Sequence, residues 1–433
     1  MLERRVVVTG VGVVSPIGFG YEQHWTARCA GHSGVAQITL FDPGDYAVQL
    51  AAEVKGFSDE LVPGDPRYYR VQNRAMKLGL AAAGDCLRHA MLDDYALRAD
   101  TACLASVGRH DGGILEFGDA AVRAMDPSPA PGEPRAFDRS RYLTRGVRAM
   151  HPLWLLTFIP NLAVAHIGLA FGLRGEANTY TSEAAGGLQV IGDAVASIRE
   201  GLYERALVGG CDSRVVPVSM ARYHSNGLLA NARADETDLS MPFDTRRRGY
   251  VMGEGAAYLL LEDAAAAERR GARALAEVAG WGGASDAFHP TSAHPEGRGL
   301  ANAMGRALAR ANAGPDDVDL VVAAAASLRD YDAAEARALE RVFGSRSVAV
   351  TAPASAIGRP HSAAGSFAAV DAISALATQC IAPTINSAEL DSDAPAGLVR
   401  GTNGHPSTLR FTLANGYSFG GQCASVLFRE VPA

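Results

Sequence analysis

The sequence predicts an α/β protein built from two similar halves, and three observations carry this prediction. Apolar, β-branched runs of strand length alternate with segments of helical periodicity, which is typical of sheets covered by helices on both faces. Residues 178–201 have the pattern of a short strand, a small-residue turn and a helix, and residues 347–377 repeat that order. The two halves are expected to meet near residues 253–257.

The first strand is predicted at residues 5–14, where the run RVVVTGVGVV is β-branched and rich in glycine. The spacing Gly10-x-Gly12-x-x-Ser15 resembles part of a dinucleotide-binding fingerprint. The third glycine is missing, however, and Pro16 stands where the phosphate-binding helix would begin. We therefore expect a tight turn after a core strand and no nicotinamide or flavin cofactor.

The elements that follow continue the alternation until one segment interrupts it. A helix is predicted at 75–89 and a buried strand at 101–108, and further buried strands are predicted at 207–210 and 318–323. These strands are expected to form largely parallel sheets. Between them, residues 125–150 are rich in Pro and Arg, which predicts an inserted cap or interface segment.

Composition excludes several classes of protein. The 433 residues are 48% hydrophobic and 20% charged, which is ordinary for a globular protein. The net charge is -7 and no Lys/Arg block stands out, so nucleic-acid binding is not expected. The six cysteines are scattered singly and predict reduced thiols and no metal site. Because no signal peptide is evident and the longest apolar stretch, 151–173, contains prolines and polar residues, we expect a cytoplasmic protein without a membrane span.

Several motifs follow one another in the order found in the β-ketoacyl synthases of the thiolase fold, which the chain resembles over nearly its whole length. These motifs are VVVTGVGVVSPIG at the start, Pro160-Asn161, Gly209-Gly210 with Asp212-Ser213, Pro242-Phe243-Asp244, Gly253-Glu254-Gly255-Ala256, Pro383-Thr384-Ile385-Asn386 and Phe419-Gly420-Gly421. The resemblance implies a five-layer αβαβα architecture of two pseudo-symmetric halves. On this basis we expect an N-terminal half at 1–252, with a cap insertion at about 109–150, and a C-terminal half at 253–433.

The resemblance also implies a site made of a cysteine nucleophile at the start of a helix and two histidines that stabilise an enolate. In this chain Glu183 stands at the nucleophile position, and Ala324 and Arg359 stand at the two histidine positions. Ala354 replaces the lysine of the active enzymes, so no catalytic residue is expected. His361 is the nearest imidazole in sequence, but it lies two residues out of register.

Two of the replaced side chains, Glu183 and Arg359, carry opposite charges. A carboxylate in the buried pocket of this family is costly unless it is paired with a cation. The resemblance places Arg359 opposite Glu183, which predicts an ion pair between them. Phe419 belongs to the Phe-Gly-Gly element that gates substrate entry in active relatives, and we expect it to be a vestigial gate here.

Loss of the nucleophile together with both histidines is the pattern of a chain-length factor, the non-condensing partner of a catalytic ketosynthase in type II polyketide synthases. Such partners commonly carry Gln where this chain has Glu183. Our leading hypothesis is a heterodimer with a ketosynthase, served by an acyl carrier protein, in which this subunit limits the tunnel of the polyketide acyl chain. The expected chain-length gate follows the 101–108 strand and consists of Arg109, His110, Gly113, Ile114 and Phe117.

Two alternatives stay open at this level. Glu183 acting as a general base, with Arg359 and His361 nearby, would make the chain a hydrolase or dehydratase on carrier-bound acyl chains. The chain is otherwise a homodimeric acyl-binding module that has no partner enzyme. Thioester turnover by the purified chain tests the first alternative, and co-purification with a ketosynthase tests the second.

Overall fold

The computed structural model describes residues 4–431 except for 45, 110, 129–131, 232, 234, 235 and 237. Within these residues the strands are β1 (Val6–Ser15), β2 (Gly18–Phe19), β3 (Val35–Gln37), β4 (Leu50–Ala52), β5 (Ala102–Val107), β6 (Ala177–Tyr180), β7 (Arg205–Ser213), β8 (Glu254–Asp263), β9 (Ala276–Ser285), β10 (Leu320–Val322), β11 (Ala349–Thr351), β12 (Cys380–Ile381), β13 (His405–Pro406), β14 (Phe411–Tyr417) and β15 (Gln422–Arg429). The helices are α1 (Tyr21–Cys29), α2 (Arg74–His89), α3 (Tyr95–Ala99), α4 (Gly112–Ala124), α5 (Arg139–Arg141), α6 (Val147–Ala149), α7 (Trp154–Phe158), α8 (Leu162–Phe171), α9 (Gly186–Glu200), α10 (Pro217–Ser225), α11 (Ala264–Arg269), α12 (Arg298–Ala311), α13 (Arg329–Phe343), α14 (Ala354–Ile357) and α15 (Ala364–Thr378).

Apart from β2, which pairs with β1, the main sheet is made of two five-strand sets with the same internal order. Its path runs β11-β10-β14-β15-β9-β1-β8-β7-β5-β6, so β9-β15-β14-β10-β11 repeats the order β1-β8-β7-β5-β6. The strand directions match as well, because β7, β5 and β6 are parallel like β14, β10 and β11. The two sets join where β1 pairs with β9 at Val7 and Val8. This repetition is the pseudo-symmetry that the sequence predicts.

The expectation of largely parallel sheets is wrong in one respect, because each half is mixed. β8 runs antiparallel to both β1 and β7, and β15 runs antiparallel to both β9 and β14. The reason is clear for β14 and β15. Only residues 418–421 connect these two strands, and a connection of that length cannot carry the crossover that a parallel pair needs.

The layers follow from the helices that contact each set of strands. α9 and α15 lie between the two halves, since α9 packs on β7 and β15 and α15 packs on β8 and β14. α2 covers β1 and β8 on one outer face, and α12 covers β9 and β15 on the other. Almost every residue of α15 is buried, as expected for a helix enclosed on all sides. The five-layer αβαβα thiolase fold is therefore confirmed.

The predicted half boundary at 252/253 does not coincide with the division of the sheet, because β8 belongs to the first set of strands. β8 begins one residue after Gly253, and it pairs on both sides with strands from before that boundary. In the region expected to form the cap, α5 and α6 are short and are joined by a π-helical turn at Tyr142–Gly146. No helix in the described part of the chain is long and apolar enough to cross a membrane.

Candidate functional site

Two equivalent turns, one in each half, form the centre of the site. Glu183 opens the turn that leads into α9, and His361 opens the turn that leads into α15. Each residue stands three positions before its helix, and each has a positive φ, 57° for Glu183 and 44° for His361. Residues other than glycine seldom adopt this conformation, and it is often found at functional sites. We call these turns the Glu183 elbow and the His361 elbow.

The Glu183 elbow contacts Arg359 through a bidentate ion pair. Arg359 Nη2 lies 3.0 Å from Glu183 Oε2, and Arg359 Nε lies 3.3 Å from Glu183 Oε1. The Arg359 side chain is only 3% exposed and also donates to the Tyr417 carbonyl at 3.1 Å. The structure thus places a compensated pair of charges at the position where the sequence led us to expect one.

The two elbows also contact each other directly. His361 Nδ1 lies 3.0 Å from Glu183 Oε1, while His361 Nε2 lies 3.3 Å from the Tyr250 hydroxyl and 3.2 Å from Met252 Sδ. Because an ionised carboxylate can only accept, Nδ1 carries the proton and Nε2 accepts from Tyr250. Burial, helped by the charge of Arg214, lowers the pKa of His361 to about 4. The imidazole is therefore neutral at neutral pH.

The carboxylate of Glu183 is held ionised. Burial by itself would raise the pKa of Glu183, but the nearby Arg359 and His361 outweigh burial and hold the pKa well below its usual range. The Phe419 backbone N–H donates a further hydrogen bond, 3.3 Å from Oε2. Arg359 in turn keeps its proton, because the charge of Glu183 outweighs burial and raises its pKa. Glu183 is therefore a weak proton acceptor at neutral pH.

Aromatic rings enclose the Arg359 guanidinium. The Phe419 ring lies 4.7 Å from it, and the rings of Tyr250 and Tyr331 lie at 5.8 and 5.9 Å. Rings in this position attract a cation and exclude water from it. Phe419, the expected vestigial gate, therefore contacts the ion pair through both its ring and its backbone amide.

Sequence reasoning named His361 only as an imidazole out of register with the site, and it did not identify the tyrosines around it. His361 is two residues out of register with the family's second histidine, but it stands as far from α15 as Glu183 stands from α9. That equal spacing was the available signal. The Tyr223 ring lies tilted against His361 with ring centroids 5.0 Å apart, and Tyr250 donates to His361. Neither tyrosine belongs to a motif.

The two alanine positions border a small cavity beside Arg359. Ala324 and Ala354 line this space of about 30 Å³, which has room for about two water molecules and is far smaller than an ordinary ligand pocket. The Ala324 amide donates to Glu335 at 3.0 Å, and burial raises the pKa of Glu335 to about 7. Among the residues that the structure describes, no cluster of His, Cys, Asp and Glu could hold a metal ion.

The residues expected to form the chain-length gate lie at the start of the predicted cap, and two of them contact α7. Phe117 on α4 contacts Trp154 on α7 edge to face, with ring centroids 4.5 Å apart. Arg109 lies 5.6 Å over the Phe158 ring, and Ile114 is half-buried. Of the remaining gate positions, His110 lies outside the described residues, and the structure describes only the backbone of Gly113, within α4.

Comparison with known proteins identifies the family. The β-ketoacyl synthase N-terminal domain matches residues 3–267, and the β-ketoacyl synthase C-terminal domain matches residues 275–388. The chain belongs to the β-ketoacyl synthase family. It is 33% identical, over 99% of both chains, to the actinorhodin polyketide putative beta-ketoacyl synthase 2 of Streptomyces coelicolor. It is also 29% identical, over the full length of both, to 3-oxoacyl-[acyl-carrier-protein] synthase 2 of Vibrio cholerae.

Solved structures of β-ketoacyl synthase family members agree with the fold. The ishigamide ketosynthase/chain length factor superposes with a TM-score of 0.87 at 29% identity, covering 99% of this chain and 100% of that one. A β-ketoacyl synthase from Burkholderia phymatum gives a TM-score of 0.86 at 26% identity with the same coverage. The expected membership in this family is confirmed.

Proposed function

We propose that this β-ketoacyl synthase family member is a chain-length factor, the non-condensing subunit of a type II polyketide ketosynthase. The observation that carries the proposal is the state of Glu183. An ionised carboxylate stands at the family's nucleophile position and is bound by Arg359, by His361 and by the Phe419 amide. A carboxylate in this state cannot form the acyl thioester that condensation starts from.

The remaining catalytic positions give further support. Stabilising the enolate formed by malonyl decarboxylation needs unneutralised donors aimed at the developing charge. Ala324 brings no polar side chain, and the charge of Arg359 is already paired with Glu183. A malonyl carboxylate entering this site would also meet the negative charge of Glu183. We therefore assign neither condensation nor decarboxylation to this subunit.

Features of the surface support a partner subunit. β6 is an edge strand of the main sheet, and an open edge presents unpaired backbone groups that another chain can complete. Exposed apolar side chains lie on the cap, at Leu143 and Val147, and in the segment that follows it, at Leu153 and Leu155. We propose that a catalytic ketosynthase covers these surfaces and that the polyketide chain, delivered by an acyl carrier protein, grows in a tunnel shared by the two subunits.

The names of two relatives support the choice of pathway. The ishigamide structure is described as a ketosynthase/chain length factor, and the Streptomyces coelicolor relative is named actinorhodin polyketide putative beta-ketoacyl synthase 2. The 3-oxoacyl synthases match to a similar extent. The choice between the two kinds of relative therefore rests on the replaced side chains at Glu183, Ala324, Ala354 and Arg359.

The experiment is co-expression with a cysteine-bearing ketosynthase of a type II polyketide pathway. We expect a one-to-one complex that extends malonyl units on the carrier protein, whereas this chain alone forms no carbon–carbon bond. As a control, the charge-balanced double variant Glu183→Gln/Arg359→Met should leave turnover by the complex within about twofold. Condensation by the isolated chain would overturn the proposal, and so would purification as a homodimer only.

One contact favours the hydrolase or dehydratase alternative, and the same preparation tests it. The His361–Glu183 distance of 3.0 Å is that of an acid–base pair. The lowered pKa of Glu183 works against this function, because a strongly acidic carboxyl is a weak base. Thioester hydrolysis or dehydration by the isolated chain, abolished in the double variant, would establish the alternative instead.

A further inference from the structure

Two thiols meet away from the two elbows, where three segments of the chain converge. Cys29 is the last residue of α1, and Cys380 is the first residue of β12. Gly404 lies beside both, and its N–H donates to the Cys29 carbonyl at 2.7 Å. Cys29 and Cys380 are partly exposed, whereas the other four cysteines are buried.

The geometry around Gly404 shows how closely the sulfurs approach. A Cβ built on Gly404 would lie 2.6 Å from Cys380 Sγ and 3.5 Å from Cys29 Sγ, so both sulfurs lie within 3.5 Å of one point. The two thiols thus converge on one point beside Gly404, and such an approach of the sulfurs is needed before a disulfide can form.

We propose that Cys29 and Cys380 are a redox modification site that closes to a reversible intramolecular disulfide. The oxidant is a low-molecular-weight disulfide, R–S–S–R. Cys380 attacks one of its sulfurs, and a mixed disulfide forms as one R–S⁻ leaves. Cys29 then attacks Cys380 Sγ, and the second R–S⁻ leaves. Each departing thiolate takes up the proton that the attacking thiol gave up, so two protein thiols are oxidised and the oxidant is reduced to two R–SH.

The surroundings decide the order of attack. Burial, together with the neighbouring Cys380, raises the pKa of Cys29 to about 12, which makes Cys29 a poor nucleophile at neutral pH. The first attack therefore falls to Cys380. Once Cys380 is part of the mixed disulfide, it can no longer become a thiolate. Its electrostatic contribution to the raised pKa of Cys29 is then removed.

The bond would fasten two parts of the fold that are far apart in sequence. α1 already contacts α15 through the buried Arg28–Asp371 ion pair, in which the nearest charged atoms are 3.0 Å apart. A Cys29–Cys380 disulfide adds a covalent link beside this pair and closes a loop of most of the chain. Long closed loops restrict the unfolded state strongly, so oxidation should raise the thermal stability.

The test uses the full chain with oxidised glutathione as the probe. We expect the intact mass to fall by two hydrogens, one peptide pair to contain Cys29 linked to Cys380, and the melting temperature to rise by roughly 5 °C. Reduction with dithiothreitol should restore the starting mass. The single variants Cys29→Ser and Cys380→Ser should form no internal link, and Cys29→Ser should keep one glutathione on Cys380.

Gly404→Ala is the matched variant, since it keeps both thiols. Its methyl group would lie 2.6 Å from Cys380 Sγ, so the sulfur must move and closure should slow by at least about tenfold. The melting temperature of the reduced variant reports whether it folds. Three results would overturn the proposal: unchanged thiols in the oxidised wild type, glutathione retained on both cysteines, or closure at the wild-type rate in Gly404→Ala.

Discussion

The Glu183 elbow and the His361 elbow have the same backbone but opposite chemistry. Both open a short turn before a central helix, and both have a positive φ. The Glu183 elbow supplies one anion, whereas the segment of the His361 elbow supplies the Arg359 cation and a neutral imidazole. The fold brings the two elbows together, and the side chains then satisfy one another. The side chains at the two elbows thus decide whether this fold presents a reactive group or a neutralised ion pair.

The largest expected effect comes from removing the cation. Arg359→Met leaves the Glu183 anion buried with only His361 and backbone donors, and it should lower the free energy of unfolding by about 3–5 kcal/mol. Urea denaturation measures this loss. Adding Glu183→Gln should recover most of it, since the double variant buries no unpaired charge. Arg337→Met, at an exposed ion pair, should cost under about 1 kcal/mol. Equal losses at both sites would contradict the role assigned to Arg359.

The next largest effect is a pH dependence of the folding stability that comes from the His361 elbow. The pKa of His361 falls from 6.5 to about 4 in the folded chain. Below pH 6.5 the unfolded chain binds a proton that the folded chain does not, so stability is lost as the pH falls from 6.5 to 4. The loss should reach about 3 kcal/mol. Asparagine tolerates the positive φ at position 361 and cannot titrate. The stability of His361→Asn relative to wild type should therefore increase as the pH falls from 6.5 to 4.

The pH comparison has its own internal control. Burial raises the pKa of Asp332 to about 6 and of Glu335 to about 7, so these carboxyls favour folding as the pH falls. Both are present in wild type and in His361→Asn, and their contribution cancels in the difference. A difference in unfolding free energy that stays constant from pH 7 to pH 4 would show that His361 is not buried in its neutral form.

A substitution in the cap is expected to change the folding stability less than substitutions at the two elbows. Phe117→Ala removes the edge-to-face contact with Trp154 and should cost about 1 kcal/mol of stability. If Phe117 belongs to the proposed gate, the complex with a ketosynthase should also release longer polyketide chains, which mass spectrometry of the products measures. Val122→Ala, on the same helix but 61% exposed, should leave the product distribution unchanged.

The smallest effect on the isolated chain should come from the exposed apolar surface of the cap. Leu143→Ser changes a side chain that is 68% exposed, so stability should stay within about 0.5 kcal/mol of wild type. The proposed ketosynthase covers this side chain, so affinity for the partner should fall by about tenfold. Leu202→Ser, at 67% exposure outside the cap, should leave partner affinity unchanged. Equal effects of the two variants in a titration of the complex would remove Leu143 from the interface.

Much of this molecule was predictable from local patterns. The buried face of α9 follows from the spacing of Leu188, Ile191, Val195 and Ile198, all of which lie in the core. The mixed direction of the sheets was missed, because a buried strand has the same composition whichever way its neighbour runs. The place of His361 was missed for a different reason. The spacing of His361 within its own segment does not reveal that it contacts Glu183, which lies 178 positions away.

The sequence by itself determined the α/β class, the repeated half, the family and the replacement of the catalytic side chains. Each of these features follows from residue identities and their spacing along the chain. Only the tertiary structure decided that His361 and the Phe419 amide also bind Glu183, which rings enclose Arg359 and that Cys29 meets Cys380. These contacts join segments that are far apart in the sequence, and they depend on how separately patterned elements pack together. Periodicity within any one element carries no information about that packing.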